Sequence, residues 1–274
     1  MANPLFGRFA NFDAATIDSK SGEVAMLPVT NLQDFQPGKV WRVTSGLDKV
    51  WVVLDLGTAI AVNLVGLLAT NVSSAATLRV MADATLSTIQ GASPSGPFDY
   101  DSGTVNAMPK RDLPSDWGPG PVLHFPSSAQ TYRYWRIELH DSGNSDGYVQ
   151  AGRGIIDAAW QPARNVQHGW SWRTSDESPR VSSISGQTFV DVRPKRRFQE
   201  GDLKFLDASD IYNSGAELIR ALGTSRDVLL VADPSSTGLR LAQQTIHGLL
   251  EELEPVVNRV ADVYDWRFRV GEIL

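Results

Sequence analysis

Four residues are placed where they could contact a ligand: Trp117, Tyr100, Asn144 and Asp146. Tyr100 and Trp117 lie in a Pro/Gly-rich stretch, 90–121, whose prolines remove ladder donors and fix φ, so it reads as loop with at most short strands inside it. Long loops in compact domains often carry function, and sugars bind on exposed aromatic faces with polar groups beside them. The alternative is that both rings simply anchor the loop to the body. Asn144 and Asp146 belong to the polar turn Asp141-Ser142-Gly143-Asn144-Ser145-Asp146-Gly147. Its oxygens invite calcium, but an EF-hand register fails: counting back from Gly147 puts Ser142 at the first ligand position and Arg153 at the last. A hydrogen-bonded turn without metal is the better reading, a looser calcium site stays open, and no metal ligand is assigned.

Constellations for catalysis are poor. The four histidines, His124, His140, His168 and His247, have no spacing that suggests a metal triad. There is no G-x-S-x-G elbow and no phosphate-cradling glycine loop before a helix. Nothing singles out one carboxylate pair among 31 acidic residues, so glycoside hydrolysis has no specific support. The sequence therefore predicts a protein that is not an enzyme and needs no cofactor. The absence of cysteine excludes disulfides, thiolate nucleophiles and cysteine-ligated metal. A net charge of −6, with only Pro194-Lys195-Arg196-Arg197 locally basic, argues against nucleic acid. The longest apolar stretch, Ile60 to Ala69, is interrupted by Asn63 and too short for a bilayer, and Met1 to Ala10 lacks a secretory pattern. A soluble protein without membrane insertion is expected.

The elements that must position these residues are mostly strands. Val50–Leu56, Ala61–Thr70, Thr77–Ala82, Val122–Phe125 and Tyr132–Leu139 are β-like runs, followed by Tyr148–Gln150 and Ile155–Trp160. Alternation in Tyr132–Leu139 predicts Trp135, Ile137 and Leu139 buried, with Arg136 and Glu138 outward or paired on a rim. About eight short strands with turns between them indicate an antiparallel sandwich. The pattern changes at Gln161-Pro162-Ala163-Arg164, which divides the chain into 1–162, a sandwich with an N-terminal extension, and 163–274. The second part reads as strands at Gly169–Thr174, Val181–Ile184 and Thr188–Arg193. One helix follows, capped by Asp207 or Ser209, lined by Leu218, Ile219 and Leu222, and stopped at Gly223. Asp227–Ala232, Gln243–Glu252 and Tyr264–Val270 complete a mainly β fold whose second part is β-rich α+β.

The run from Asn31-Leu32 through Trp41-Arg42, Trp51 and Leu54-Asp55-Leu56-Gly57, with Tyr134-Trp135-Arg136-Ile137-Glu138-Leu139, resembles the discoidin (coagulation factor 5/8 type C) family over about residues 25–160. The resemblance implies an eight-stranded, galactose-binding-like jelly roll whose loops at one end bind carbohydrate or lipid headgroups. The terminal cysteine pair of many extracellular members is missing, which puts an animal-adhesion role in doubt. The later Trp160-Gln161-Pro162, Asn165, Gly169-Trp170, the Arg193 to Phe198 run, Val228 to Pro234, Ile246-His247-Gly248 and Phe268-Arg269-Val270-Gly271-Glu272-Ile273 are similar to minor tail proteins of long-tailed bacteriophages, including distal tail proteins. That implies a tail-assembly domain over 163–274 packing in a homo-oligomeric ring at the tail tip or baseplate. Its partners would be other tail proteins and a host-surface glycan, in a virion assembled in the host cytoplasm. The alternatives are a free-standing carbohydrate-binding lectin and an accessory module of a carbohydrate-active enzyme.

Overall fold

The computed structural model describes residues 2–36, 38–107 and 120–273. Its first unit is an antiparallel sandwich. One sheet runs Thr16–Lys20, Val50–Val62, Gln130–His140, Thr77–Asp83, Tyr100–Asp101, with Val105–Asn106 also on Thr77–Asp83. The facing layer has Leu64–Thr70 between Arg153–Asp157 and Gly120–His124, beside the pair Trp41–Val43 and Val149–Ala151. Strand periodicity sorts the side chains: Val50, Val52 and Leu54 enter the core between the layers with Trp135, Ile137, Leu78 and Val80. Trp51 and Val53 point the other way.

That other face is not solvent. Trp51, Val53, Met81 and Ile89 form a small core of their own, closed by the segment around Leu86–Ile89. Arg136 and Glu138 lie here at 0% and 1% exposure, so the expected outward or rim position is corrected to a buried ion pair. Arg136 Nε donates to Glu138 Oε1 at 2.6 Å, Nη1 donates to the carbonyls of Ile89 and Gly91, and the guanidinium stacks 4.1 Å over the Trp51 ring. The strand alternates as its sequence does, and the segment that covers its second face carries no periodic signal.

The second unit is a seven-stranded sheet ordered Leu5–Arg8, Asp227–Val231, Thr245–Leu250, Val263–Glu272, Arg196–Asp207, Ser171–Ser175, with Val257–Val260 also on Val263–Glu272. The N-terminal segment, expected as an extension of the sandwich, instead supplies the edge strand here: Leu5 pairs with Val231 and Arg8 with Val228. The predicted helix is continuous through residues 208–222 with a π-helical middle, Ile211–Gly215, and ends at Gly223 with φ +53°. Asp207 sits at its N-cap without a side-chain cap bond.

The two units share a core. In Asp227–Val231, Val228 and Leu230 face the helix with Phe6, Trp160 and Trp266. Leu229 and Val231 face the sandwich with Leu5, Phe9, Leu64 and Ile155. A strand buried on both faces must be apolar at successive positions, which is why this run does not alternate. Contact is close enough to demand glycine: a Cβ on Gly154 would lie 2.1 Å from Phe12 Cζ, and one on Gly7 would lie 2.6 Å from Leu64 Cδ2.

Polar groups seal the same junction. Arg153, on a sandwich strand, donates from Nε to Asp227 Oδ2 at 2.9 Å and from Nη2 to Asp13 Oδ2 at 2.9 Å. Its Nη1 reaches the Leu32 carbonyl, its plane stacks 4.5 Å over Phe9, and His247 Nε2 meets Asp227 Oδ2 at 2.9 Å. Burial, the largest influence, pulls the Arg153 pKa down, but the Asp13 and Asp227 carboxylates together outweigh it and hold the guanidinium above its ordinary value. Nearby, fully buried Asp157 accepts the Arg8 N–H at 2.7 Å and Asn11 Nδ2–H at 2.8 Å. Desolvation pushes its pKa up to about 6.

Two outcomes follow for the junction. Arg153→Ala leaves the buried Asp227 carboxylate with His247 alone and should cost about 3 kcal/mol in denaturant unfolding; a change below about 1 kcal/mol would show that the pair carries no net weight. Asp157 has a folded pKa above its unfolded value of 3.8, so the folded state gains stability as pH falls through about 6. From pH 7 to pH 5 Asp157 should add about 1.3 kcal/mol of stability, with the rest of its gain coming at lower pH. The gain should vanish in Asp157→Asn, as read by urea midpoints at both pH values. Carboxylates with lowered pKa, such as Asp227, lose their contribution only nearer the unfolded value.

Candidate functional site

Of the four sequence-predicted ligand contacts, the three among the described residues do not converge. Trp117 lies outside the described residues. Tyr100 is half-buried in the short strand Tyr100–Asp101, paired with Ala82, and its ring packs 6.1 Å from Trp135. Its hydroxyl meets His124 Nε2 at 2.6 Å. Desolvation raises the phenol pKa and lowers that of the imidazole, so a neutral ring faces a neutral phenol at neutral pH.

Asn144 and Asp146 instead knot two loops at one end of the sandwich. Asn144 is 9% exposed; its Nδ2 donates to Asp141 Oδ2 and to the Asn71 carbonyl, and its Oδ1 accepts the Asp146 N–H. Asn71 Nδ2 donates to Asp146 Oδ2 at 2.9 Å and to the Tyr148 carbonyl, while its Oδ1 accepts the Gln150 N–H. Asp141 accepts the backbone N–H and the hydroxyl of Ser73. Among the described residues no cluster of three or more His, Asp or Glu side chains could hold a metal ion. The side-chain oxygens of Asp141, Asn144 and Asp146 each accept from an amide, hydroxyl or backbone donor.

Two features that the sequence did not single out are better placed for contact. The first is a cleft of about 530 Å³ where the sandwich meets the second unit. One wall comes from Val105, Asn106, Leu123, His124 and Phe125, and the other from Ser235, Ser236, Thr237 and Leu241. Asp233 fixes the polar wall: it accepts the Ser235 hydroxyl at 2.5 Å, the Ser236 hydroxyl at 2.9 Å and the Ala2 N–H at 2.8 Å. Those bonds, against the opposing effect of burial, hold the Asp233 carboxyl below its usual range. Pro234-Ser235-Ser236-Thr237-Gly238 was a recognisable turn signal. Its facing wall lies more than a hundred residues earlier, and no local pattern joins the two.

The second feature is a β-hairpin, Arg180–Ser182 with Thr188–Val190, which extends beyond the paired strands Ser171–Ser175 and Arg196–Asp207. None of residues 176–195 is buried. Val181, Phe189 and Val192 are 66%, 61% and 83% exposed, and Trp172 at the root is 62% exposed. Val181 and Phe189 are a directly opposed cross-strand pair.

No family model matches the chain, and no curated protein matches it. Among solved structures it is similar to the family 32 carbohydrate-binding module of Clostridium perfringens NanJ in complex with galactose, at 11% identity over 56% of this chain and 99% of that one, TM-score 0.38. It is also similar to the lectin domain of lectinolysin complexed with Lewis B antigen, at 15% identity over 53% and 94%, TM-score 0.36. A third is SpGH29, at 12% identity over 52% of this chain and 26% of that one, TM-score 0.37. Identities and TM-scores this low say nothing of what this chain binds; its mainly β architecture rests on the strand order above.

The knotted loops give a direct check on Asn144. Asn144→Ala strands the Asp146 N–H and removes donors from Asp141 and Asn71. It should lower stability by about 1–3 kcal/mol in thermal or urea unfolding. A variant as stable as the wild type would return Asn144 to the list of free ligand contacts.

Proposed function

We propose that this chain is a structural, non-enzymatic component that assembles with copies of itself through the projecting hairpin and displays the sandwich. The observation that carries this reading is the hairpin. A two-stranded hairpin is at best marginally stable alone in water, yet this one places β-branched and aromatic side chains on strands with no core beneath them. Residues 176–195 match the roughly twenty residues a side of a standard interface. The chain also offers a receiving surface. Val257–Val260 pairs on one side only, is exposed throughout, and carries Val257 and Val260 outward. Donor and receiver are different surfaces, so the contact is head-to-tail, and such contacts close into rings when the rotation permits.

The finer placement, a tail-tip or baseplate ring of a tailed bacteriophage holding a carbohydrate-binding-like sandwich toward the host surface or against neighbouring tail proteins, is supported by the sequence resemblance of the second part. Ring display suits weak single sites, because several copies engage together. A free-standing lectin is the second reading, favoured by the cleft, and it predicts a monomer.

Size-exclusion chromatography with light scattering separates them. A discrete oligomer is expected for the intact chain and a monomer for Val181→Asp combined with Phe189→Asp. Both sites are exposed, so the variant's unfolding midpoint should stay within about 0.5 kcal/mol of the parent. A monomeric wild type overturns the assembly reading.

A further inference from the structure

We propose that the cleft between the sandwich and the second sheet binds a short neutral saccharide. This deepens the display half of the reading above and does not depend on the assembly half. At about 530 Å³ the cleft is within the range of small-ligand sites, roughly 300–1,000 Å³. Among the described residues its lining holds no Asp, Glu, Lys or Arg, although 20% of the chain is charged. The one titratable side chain among them, His124, is tied to the Tyr100 hydroxyl. A phosphate, carboxylate or ammonium group entering here would lose its hydration without meeting an opposite charge. The lining therefore selects an uncharged ligand.

The lining is also two-sided in the way a pyranose is. On the sandwich wall Val105, Leu123 and Phe125, beside Asn106, supply an apolar surface for a sugar's C–H face. Across from them stand Ser235, Ser236 and Thr237, with Leu241. The Ser235 hydroxyl donates to Asp233, and the Ser236 hydroxyl lies between the acceptors of Asp233 and Gln244, so both are held in place within the wall. Hydroxyls held this way keep acceptor capacity on their oxygens, which suits a ligand rich in O–H donors. Each unit supplies one wall, and Leu123, Phe125 and Leu241 belong to the core shared by both units. The shape is thus set before any ligand arrives, which lowers the cost of binding.

The test is saturation-transfer NMR followed by titration calorimetry on the full chain, with lactose, maltose and chitobiose as neutral probes and 3′-sialyllactose as the charged one. At least one neutral disaccharide should bind, and 3′-sialyllactose should bind no more tightly than lactose. Phe125→Ala removes part of the apolar wall; Asn106→Arg, at an exposed position, fills the cleft with a cation and leaves the core intact. Each should weaken binding about tenfold or more, about 1.4 kcal/mol. Absence of binding by every neutral probe, or binding that survives both substitutions, overturns the proposal. Light scattering on the same samples separates the two readings: an oligomer that binds no saccharide loses the cleft alone, and a saccharide-binding monomer loses the assembly alone.

Discussion

Arg153 is the constraint on which the rest of the molecule depends. Its side chain leaves a sandwich strand, crosses the boundary between units, and ends on Asp227 in the second sheet and Asp13 beside the N-terminal strand. A guanidinium this buried is tolerable only with its donors satisfied, and satisfying them fixes three segments from different parts of the chain. Apolar packing makes the junction favourable through Leu5, Phe9, Leu64, Ile155, Leu229 and Val231. The planar, two-sided geometry of Arg153 fixes the register. Phe9, stacked under Arg153 and beside His247, completes the seal.

The buried pair Arg136–Glu138 does the comparable work inside the sandwich. It fastens the Leu86–Gly91 segment over the outer face of the large sheet, so the sheet has apolar cover on both sides. Both sites use arginine where lysine could not serve, because several acceptors in different directions must be met by one rigid fork. Polar groups here decide arrangement, and apolar area supplies the driving force.

How much of this was legible depends on the range of the interaction. Thr77–Ala82 and Tyr132–Leu139 announced themselves by alternation, and Val50–Leu56 by a dense run of β-branched and aromatic residues; all are strands. The helix ending at Gly223 was equally local in its cause. Leu5–Arg8 is too short to carry a period, and its identity as a strand comes from residues 228–231 at the far end of the chain. The site was less legible still. Tyr100 was singled out as a ligand contact but sits against Trp135 and His124. The cleft arises from two segments whose meeting is decided by the Arg153 junction, a relation that no spacing rule encodes. The hairpin strands were visible, but that nothing covers them is a property of the tertiary arrangement.

The edge strand Leu5–Arg8 has a consequence for the order of events in synthesis. It emerges from the ribosome early, while its partners at 228–231 follow more than two hundred residues later. The second sheet cannot close its edge until almost the whole chain is available, and contacts of such long sequence separation are slow to form. During that interval Leu5 and Phe9 have the sandwich to rest against, while Phe6 waits for Trp266 and Phe268. The sandwich is then a waiting surface for the N-terminus as well as a displayed module, and the two units mature as one cooperative body.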